Sequence, residues 1–259
     1  MLSVLKVGGS VLRDEPSYAA AARFLQARLA EHAGEQLVVI VSAQYGATNE
    51  LLAEAEAISP DPSAAAVDLL WSTGELRSVA RLTLHLQRLG VTAIPFNVHQ
   101  TGLVADRATG TTVRPLRLLT ALAAARIVIV PGFLGVSAGG TVTSLGRGGS
   151  DLTAVLLAVA VRADACELIK DVPGYFTADP HRDAQARPIH DLPIAEALRM
   201  ADAGCELVQR AALAAAAQAN LNLVIRSMDA AAPVTRCHAR SQSHGVRHQD
   251  DSRRSAVRA

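Results

Sequence analysis

Three observations in the sequence predict an α/β fold, a three-layer αβα sandwich around a mostly parallel central sheet. Apolar runs of strand length recur along the chain, and each is followed by a turn and then an Ala/Leu-rich helical stretch. That order is what a parallel sheet with crossover helices requires. Several runs, such as Leu37-Val-Val-Ile-Val41 and Ile127-Val-Ile-Val130, are apolar at every position. Such strands are expected to be covered on both faces. Half of the residues are hydrophobic, yet aromatics make up only 3%, so Ala, Val and Leu must close helices onto the sheet at short range.

In chain order, the run at 2–7 ends on Gly8-Gly9 and reads as the first strand, followed by a helix over 17–32. A strand at 37–42 precedes helical stretches at 49–57 and 74–89, separated by a loop at 58–63 that holds Pro60 and Pro62. Strands are expected at 92–97, 127–130, 167–170 and 221–227, and helices at 115–125, 151–161, 194–203 and 211–219. Residues 138–147 read as a hairpin turning at Gly139-Gly140. From Ala230 the composition shifts to Arg, His, Ser and Gln without periodicity. The expected organisation is one domain over 1–229 followed by a disordered basic tail over 230–259.

Composition narrows the function classes. A formal net charge of +1 gives no reason to expect nucleic acid or an anionic membrane as partner. The basic tail, with Arg253-Arg254, carries no interleaved aromatic residue to stack on bases. No apolar run reaches the roughly 18–20 residues that span a bilayer, and the start of the chain lacks a signal-peptide pattern. Cys166, Cys205 and Cys237 form no CxxC pair and no zinc-ligand set with the histidines. A cytoplasmic protein with free thiols and no metal-ligating residues is therefore expected.

Three segments carry candidate chemistry. Lys6-Val-Gly-Gly-Ser10 follows an apolar strand; consecutive glycines let backbone N–H groups approach phosphate oxygens, and a lysine adds positive charge. The Walker A spacing is absent, and a tight turn beside a surface lysine would account for this segment equally well. Thr143-Ser-Leu-Gly-Arg-Gly-Gly-Ser-Asp151 leads into a helix. Helix capping explains Ser150 or Asp151, but not Arg147 held between two glycines, where a guanidinium is placed to receive a carboxylate or phosphate. Ile169-Lys-Asp-Val-Pro-Gly-Tyr-Phe-Thr-Ala-Asp-Pro180 is a strand end and a loop, at the edge where open α/β sheets bind ligands. Taken alone, it is an ordinary Pro-Gly turn.

Together these segments resemble the amino acid kinase superfamily, and within it the aspartate kinase catalytic domain, from Lys6 to about Ser227. Val39-Ile-Val-Ser-Ala-Gln-Tyr-Gly-Ala-Thr-Asn49, Ser72-Thr-Gly-Glu-Leu76, Gln100-Thr-Gly-Leu-Val-Ala-Asp106 and Pro131-Gly-Phe-Leu-Gly135 are similar to further family blocks, in family order. Leu145-Gly-Arg-Gly-Gly-Ser-Asp151 is the most specific.

The resemblance implies transfer of the γ-phosphoryl group of ATP, with Mg2+, to the side-chain carboxylate of aspartate, a small-molecule amino-acid substrate. It implies catalytic roles for Lys6 and Asp151, and a phosphate cradle of Lys6, Gly8, Gly9 and Ser10. Arg147 would grip a substrate carboxylate and Glu75 would face the substrate ammonium, with Ser42, Thr48 and Ser150 adding hydroxyls. Lys170, Asp171, Tyr175 and Asp179 fall in the block that carries the nucleotide. The resemblance allows a homodimer through the catalytic domain.

Relatives often have a hydroxyl residue where Lys170 stands, and three departures stand out. The opening glycine block has Ser10-Val11 where relatives commonly have a threonine or a further serine. In Gln209-Arg-Ala211 the basic residue comes one position early. The sequence also stops where aspartate kinases continue into paired ACT domains, so insensitivity to lysine and threonine is expected. Two other readings are a superfamily kinase for a different acceptor, for which a blocked amine would make Glu75 unnecessary, and a catalytically weak homologue that binds nucleotide as a regulatory subunit.

Overall fold

The computed structural model describes residues 1–106, 110–146, 148–180 and 182–239. In chain order they form β1 (Leu2–Val7), α1 (Glu15–Glu31), β2 (Gln36–Val41), α2 (Ala47–Ile58), α3 (Ala64–Arg88) and β3 (Ala93–Pro95). Then come β4 (Leu103–Asp106), β5 (Gly110–Val113), α4 (Leu116–Ala124), β6 (Ile127–Pro131), β7 (Leu134–Val136) and β8 (Val142–Ser144). The chain continues through α5 (Gly149–Val161), β9 (Ala165–Ile169), β10 (Asp191–Pro193), α6 (Ile194–Asp202), α7 (Arg210–Gln218), β11 (Leu223–Arg226) and β12 (Thr235–His238).

Among the described residues, eight strands make the main sheet in the order β10-β12-β11-β9-β1-β2-β6-β3, and β12 against β11 is its antiparallel pair. Strand alternation divides the core into two layers, because successive side chains point to opposite faces. Val4, Val38, Ile40, Val128, Val130 and Leu168 meet α4, α5 and α7 through Leu118, Val155 and Leu213. Leu5, Val7, Leu37, Val39, Val41 and Ile129 meet α1 and α3 through Leu25, Leu82 and Leu86. The predicted αβα sandwich is therefore observed. β1 lies centrally, with β2 on one side and β9 on the other. The crevice at the carboxyl ends of these three strands is a topological switch point, where open parallel sheets bind ligands.

The structure departs from the sequence reading in four places. First, α3 starts at Ala64, well before Gly74, with the Ser63 side chain accepting the N–H of Ala66. Second, a smaller sheet, β5-β4-β7-β8, stands beside the main one. Third, the expected hairpin is present as β7 and β8 turning at 137–141, where Gly140 takes φ +83°, but its first strand begins earlier than 138.

Fourth, the expectation of a disordered tail from residue 230 is corrected over β12. This strand inserts between β10 and β11, with Thr235 and Cys237 buried. The Thr235 hydroxyl accepts the N–H of Tyr175 at 2.8 Å and donates to the carbonyl of Ile189 at 2.6 Å. Buried backbone groups of β10 and β11 need a partner, and β12 supplies it. Residues 240–259 lie outside the described residues.

Candidate active site

Lys6 lies near the end of β1 on the face shared with Val4, which turns its side chain toward the start of α5. Its ammonium is 2.9 Å from Asp151 Oδ1, and both side chains are buried. Lys170, the residue after β9, reaches the same carboxylate from the neighbouring strand, donating to Oδ2 at 2.8 Å and to Oδ1 at 3.1 Å. The backbone N–H of Gln209, just before α7, donates to Oδ2 at 3.4 Å. Asp151 also sits in the first turn of α5, where the helix dipole favours a negative charge. Burial alone would raise its carboxyl, but Lys6 and Lys170 hold it at about 2. Burial and the nearby Lys6 bring the Lys170 ammonium down to about 8, against the pull of Asp151.

The glycines that follow β1 are required by close approach. A Cβ at Gly8 would sit 3.0 Å from Lys6 Nζ, and one at Gly9 would sit 2.8 Å from the carbonyl of Ala43. Ser10 donates its hydroxyl to Asp171 at 2.8 Å, closing this loop onto the segment after β9. On α5 the approach is tighter still. Gly148 adopts φ +71° at the helix start, and a Cβ there would overlap the Gln209 side chain.

These elements surround a cavity of about 530 Å³. Lys6, Asp151 and Lys170 line one part of it, with Gly9 and Ser10 beside them. Ser42, Thr48, Glu75 and Ser150 also line it. Glu75 projects from the middle of α3 and is only 3% exposed. One of its carboxyl oxygens is buried without a hydrogen-bond partner. Burial pushes its pKa up to about 8, while the backbone at Ala43, the charge of Lys6 and the backbone at Gly132 pull the other way. Because α3 begins at Ala64, Glu75 lies beyond the first turn and is not an acid stabilising a helix N-terminus.

Other candidates lie elsewhere. Tyr175 is packed in the core at 2% exposure, its phenol oxygen without a partner, and does not line the cavity. Gly8 and the exposed Asp171 do not line the cavity, and Asp179 is an exposed carboxylate 3.4 Å from Arg182. Arg210 is drawn to Asp202, away from Asp151. Arg147 lies outside the described residues.

The structure also adds an apolar wall for which the sequence analysis had no signal. Trp71 stacks edge-on against Phe133 at 5.4 Å, and its indole N–H donates to the carbonyl of Thr48 at 3.0 Å. Phe133 holds a positive φ of 67°, and its N–H donates to the Thr153 hydroxyl at 3.1 Å. Gly132 precedes it, where a Cβ would meet Ser150 Oγ at 2.6 Å. The Pro131-Gly-Phe block was visible in the sequence, but what it packs against was not.

Comparison with known proteins places this geometry in a family context. The pattern of the amino acid kinase family matches residues 1–227. The chain is 36% identical over 231 residues to an aspartokinase of Thermus thermophilus, a match spanning 87% of this chain and 56% of that protein. To an aspartokinase of Pseudomonas aeruginosa it is 39% identical over 196 residues, 74% of this chain and 47% of that protein. The chain thus spans about half the length of the curated relatives it matches. Among solved structures, aspartate kinase from Synechocystis superposes with a TM-score of 0.83 at 34% identity, covering 93% of this chain and 40% of that one. Aspartokinase III of E. coli, in complex with aspartate and ADP, superposes with a TM-score of 0.76 at 26% identity, covering 93% and 66%.

Proposed function

We propose an activity for this chain, which belongs to the amino acid kinase family: ATP-dependent phosphorylation of the side-chain carboxylate of aspartate. The observation that carries the proposal is the Lys6–Asp151–Lys170 cluster at the carboxyl end of β1, in one cavity with the buried acid Glu75. Aspartate presents two carboxylates and an ammonium, and the cavity answers with opposite charges.

In this reading a carboxylate oxygen of aspartate attacks the γ-phosphorus of ATP. The bond from that phosphorus to the oxygen bridging the β-phosphate breaks, ADP leaves with the electron pair, and an acyl phosphate remains. An ionised carboxylate is already a nucleophile near neutral pH, so no general base is needed. The protein's task is in-line positioning and neutralisation of charge on the transferring oxygens. Lys6 and Lys170 supply two ammoniums to that charge, and Asp151 holds both in place. Gly9 and Ser10, which line the cavity, would present backbone N–H groups to phosphate, whereas the Gly8 N–H is donated to the carbonyl of Ile169 at 3.3 Å. Glu75 would receive the substrate ammonium and Arg147 a substrate carboxylate, with Ser42, Thr48 and Ser150 adding hydroxyl contacts.

Mg2+ would enter as the counter-ion of ATP and reduce the charge on its phosphate oxygens. Asp151 is already engaged by two ammoniums, and no cluster of three or more metal-binding side chains occurs among the described residues. The ion would therefore be held chiefly by the nucleotide. No described helix is long and apolar enough to cross a membrane, which agrees with a cytoplasmic enzyme. A homodimer through this domain belongs to the same proposal.

A screen of ATP consumption tests the reading, with aspartate, N-acylated amino acids and other small acids as acceptors. Aspartate is expected to support turnover. An acceptor without a free amine that outperforms it would overturn the assignment of Glu75 and, with it, of the substrate.

A further inference from the structure

Glu75 is the one group in the cavity whose state in the empty protein is at odds with its proposed task. A carboxylate that receives an ammonium must be ionised when the substrate is bound. Yet the side chain is 3% exposed, and one oxygen has no donor at all. An ionised carboxylate left buried without full hydrogen bonding carries a heavy desolvation cost, and such a group takes up a proton instead.

The surroundings do not remove that cost. From β1, Lys6 is the charged side chain acting on Glu75, and it is spent on Asp151 at 2.9 Å. Lys170, after β9, is committed to the same Asp151 from α5. From α1, the uncharged phenol of Tyr18 shares its hydrogen bond with Ser78 of α3 at 2.6 Å. The turns after β2 and β6 offer only backbone, at Ala43 and Gly132. Along α3 itself, Asp68 is buried and Arg77 is exposed, and neither acts on the Glu75 carboxyl. On α2, packed against α3, Glu50 and Glu54 are exposed. The resting preference for the neutral acid follows from burial first, and Lys6 offsets it only in part.

We propose that Glu75 stands protonated in the empty cavity and passes its proton to solvent as the acceptor's ammonium docks, so that acceptor binding is coupled to release of about one proton. The inference rests on the acceptor reading given above and specifies its chemistry. The neutral carboxyl becomes a carboxylate, the proton goes to buffer, and the incoming ammonium replaces the missing donor. Only an acceptor with a positively charged amine can drive the exchange. An N-acylated or hydroxyl-bearing analogue would meet a neutral acid and leave it neutral, which makes Glu75 a specificity-determining residue.

Two measurements on the full chain test this. The first is infrared spectroscopy of ligand-free protein at pH 7, wild type minus Glu75→Gln, which reads the carbonyl stretch of a protonated carboxyl. That band is expected in the free protein and should vanish when aspartate is added with a non-hydrolysable ATP analogue. The second is calorimetry of the same binding in buffers of different ionisation enthalpy. The slope of heat against buffer enthalpy should correspond to roughly 0.9 proton released at one unit below the pKa, and to none with Glu75→Gln. Absence of the band in free wild-type protein overturns the inference whatever the acceptor is. A band that persists on aspartate binding, or a slope of zero, also overturns it while leaving the aspartate reading standing. A band in the free protein together with no binding or turnover of aspartate removes the acceptor reading, and the coupling falls with it.

Discussion

Lys6 and Lys170 share one counter-ion, and the effect of each substitution depends on which partner remains. Lys6→Ala leaves Asp151 paired with Lys170 at 2.8 Å, so the protein should fold normally. Turnover should fall by at least about 10²–10³-fold, the usual cost of losing one donor aimed at developing charge; kcat and a thermal melt on one preparation check both halves. Asp151→Asn does the opposite. It strands two buried ammoniums, and a loss of roughly 3–5 kcal/mol in denaturant unfolding is expected. The Asp151 carboxyl is depressed to about 2, so its stabilisation is present above its ordinary pKa and drains away as pH falls toward 2. Lys170 gives a pH signature at the other end. Its ammonium, brought down to about 8, loses its charge as pH rises through that value. kcat/KM for ATP should therefore fall above about pH 8 in the wild type. In Lys170→Arg, which stays charged, that limb should move out of range.

At the scale of elements, the site is built from close approaches that only glycine allows. Gly148 joins positive φ to direct contact with Gln209, the residue whose N–H reaches Asp151. Gly148→Ala should force α5 and α7 apart, at a cost of about 1–3 kcal/mol in stability. It should also lower kcat; paired unfolding and rate measurements on this variant check the effect. Such contacts explain what the sequence did and did not disclose. Gly8, Gly9 and Lys6 were legible because a glycine pair after an apolar strand has a local cause. The start of α3 was not, because Gly74 looked like a boundary. It lies mid-helix because a Cβ there would crowd Ala43 and Leu51 at 3.2 Å, and that contact is set by tertiary packing. Trp71 and Phe133 were illegible for the same reason. Their edge-on contact joins α3 to the turn before β7, far apart in sequence.

At the scale of the whole molecule, the two-faced central strands announced the parallel sheet, and the edge did not announce itself. Thr235-Arg-Cys-His238 alternates buried and less buried positions, but four residues flanked by Arg and His carry too short a pattern to stand out. Truncation after Ala232 removes β12, leaving β10 without its strand partner and β11 paired only with β9, and deletes the Thr235 hydroxyl that accepts the Tyr175 N–H. A loss on the order of several kcal/mol, with a lowered melting temperature, should follow; an unchanged melt would mean that β12 contributes little to the fold. The central claim, that this cavity makes an acyl phosphate on aspartate, is tested most directly by trapping the product. Purified protein is incubated with ATP, Mg2+, aspartate and hydroxylamine, and both ADP and the hydroxamate are quantified. The account predicts aspartyl hydroxamate in equal amount to ADP, nearly abolished in Lys6→Ala and absent when N-acetylaspartate replaces aspartate. ADP formed without hydroxamate, or hydroxamate formed as readily from N-acetylaspartate, would contradict it.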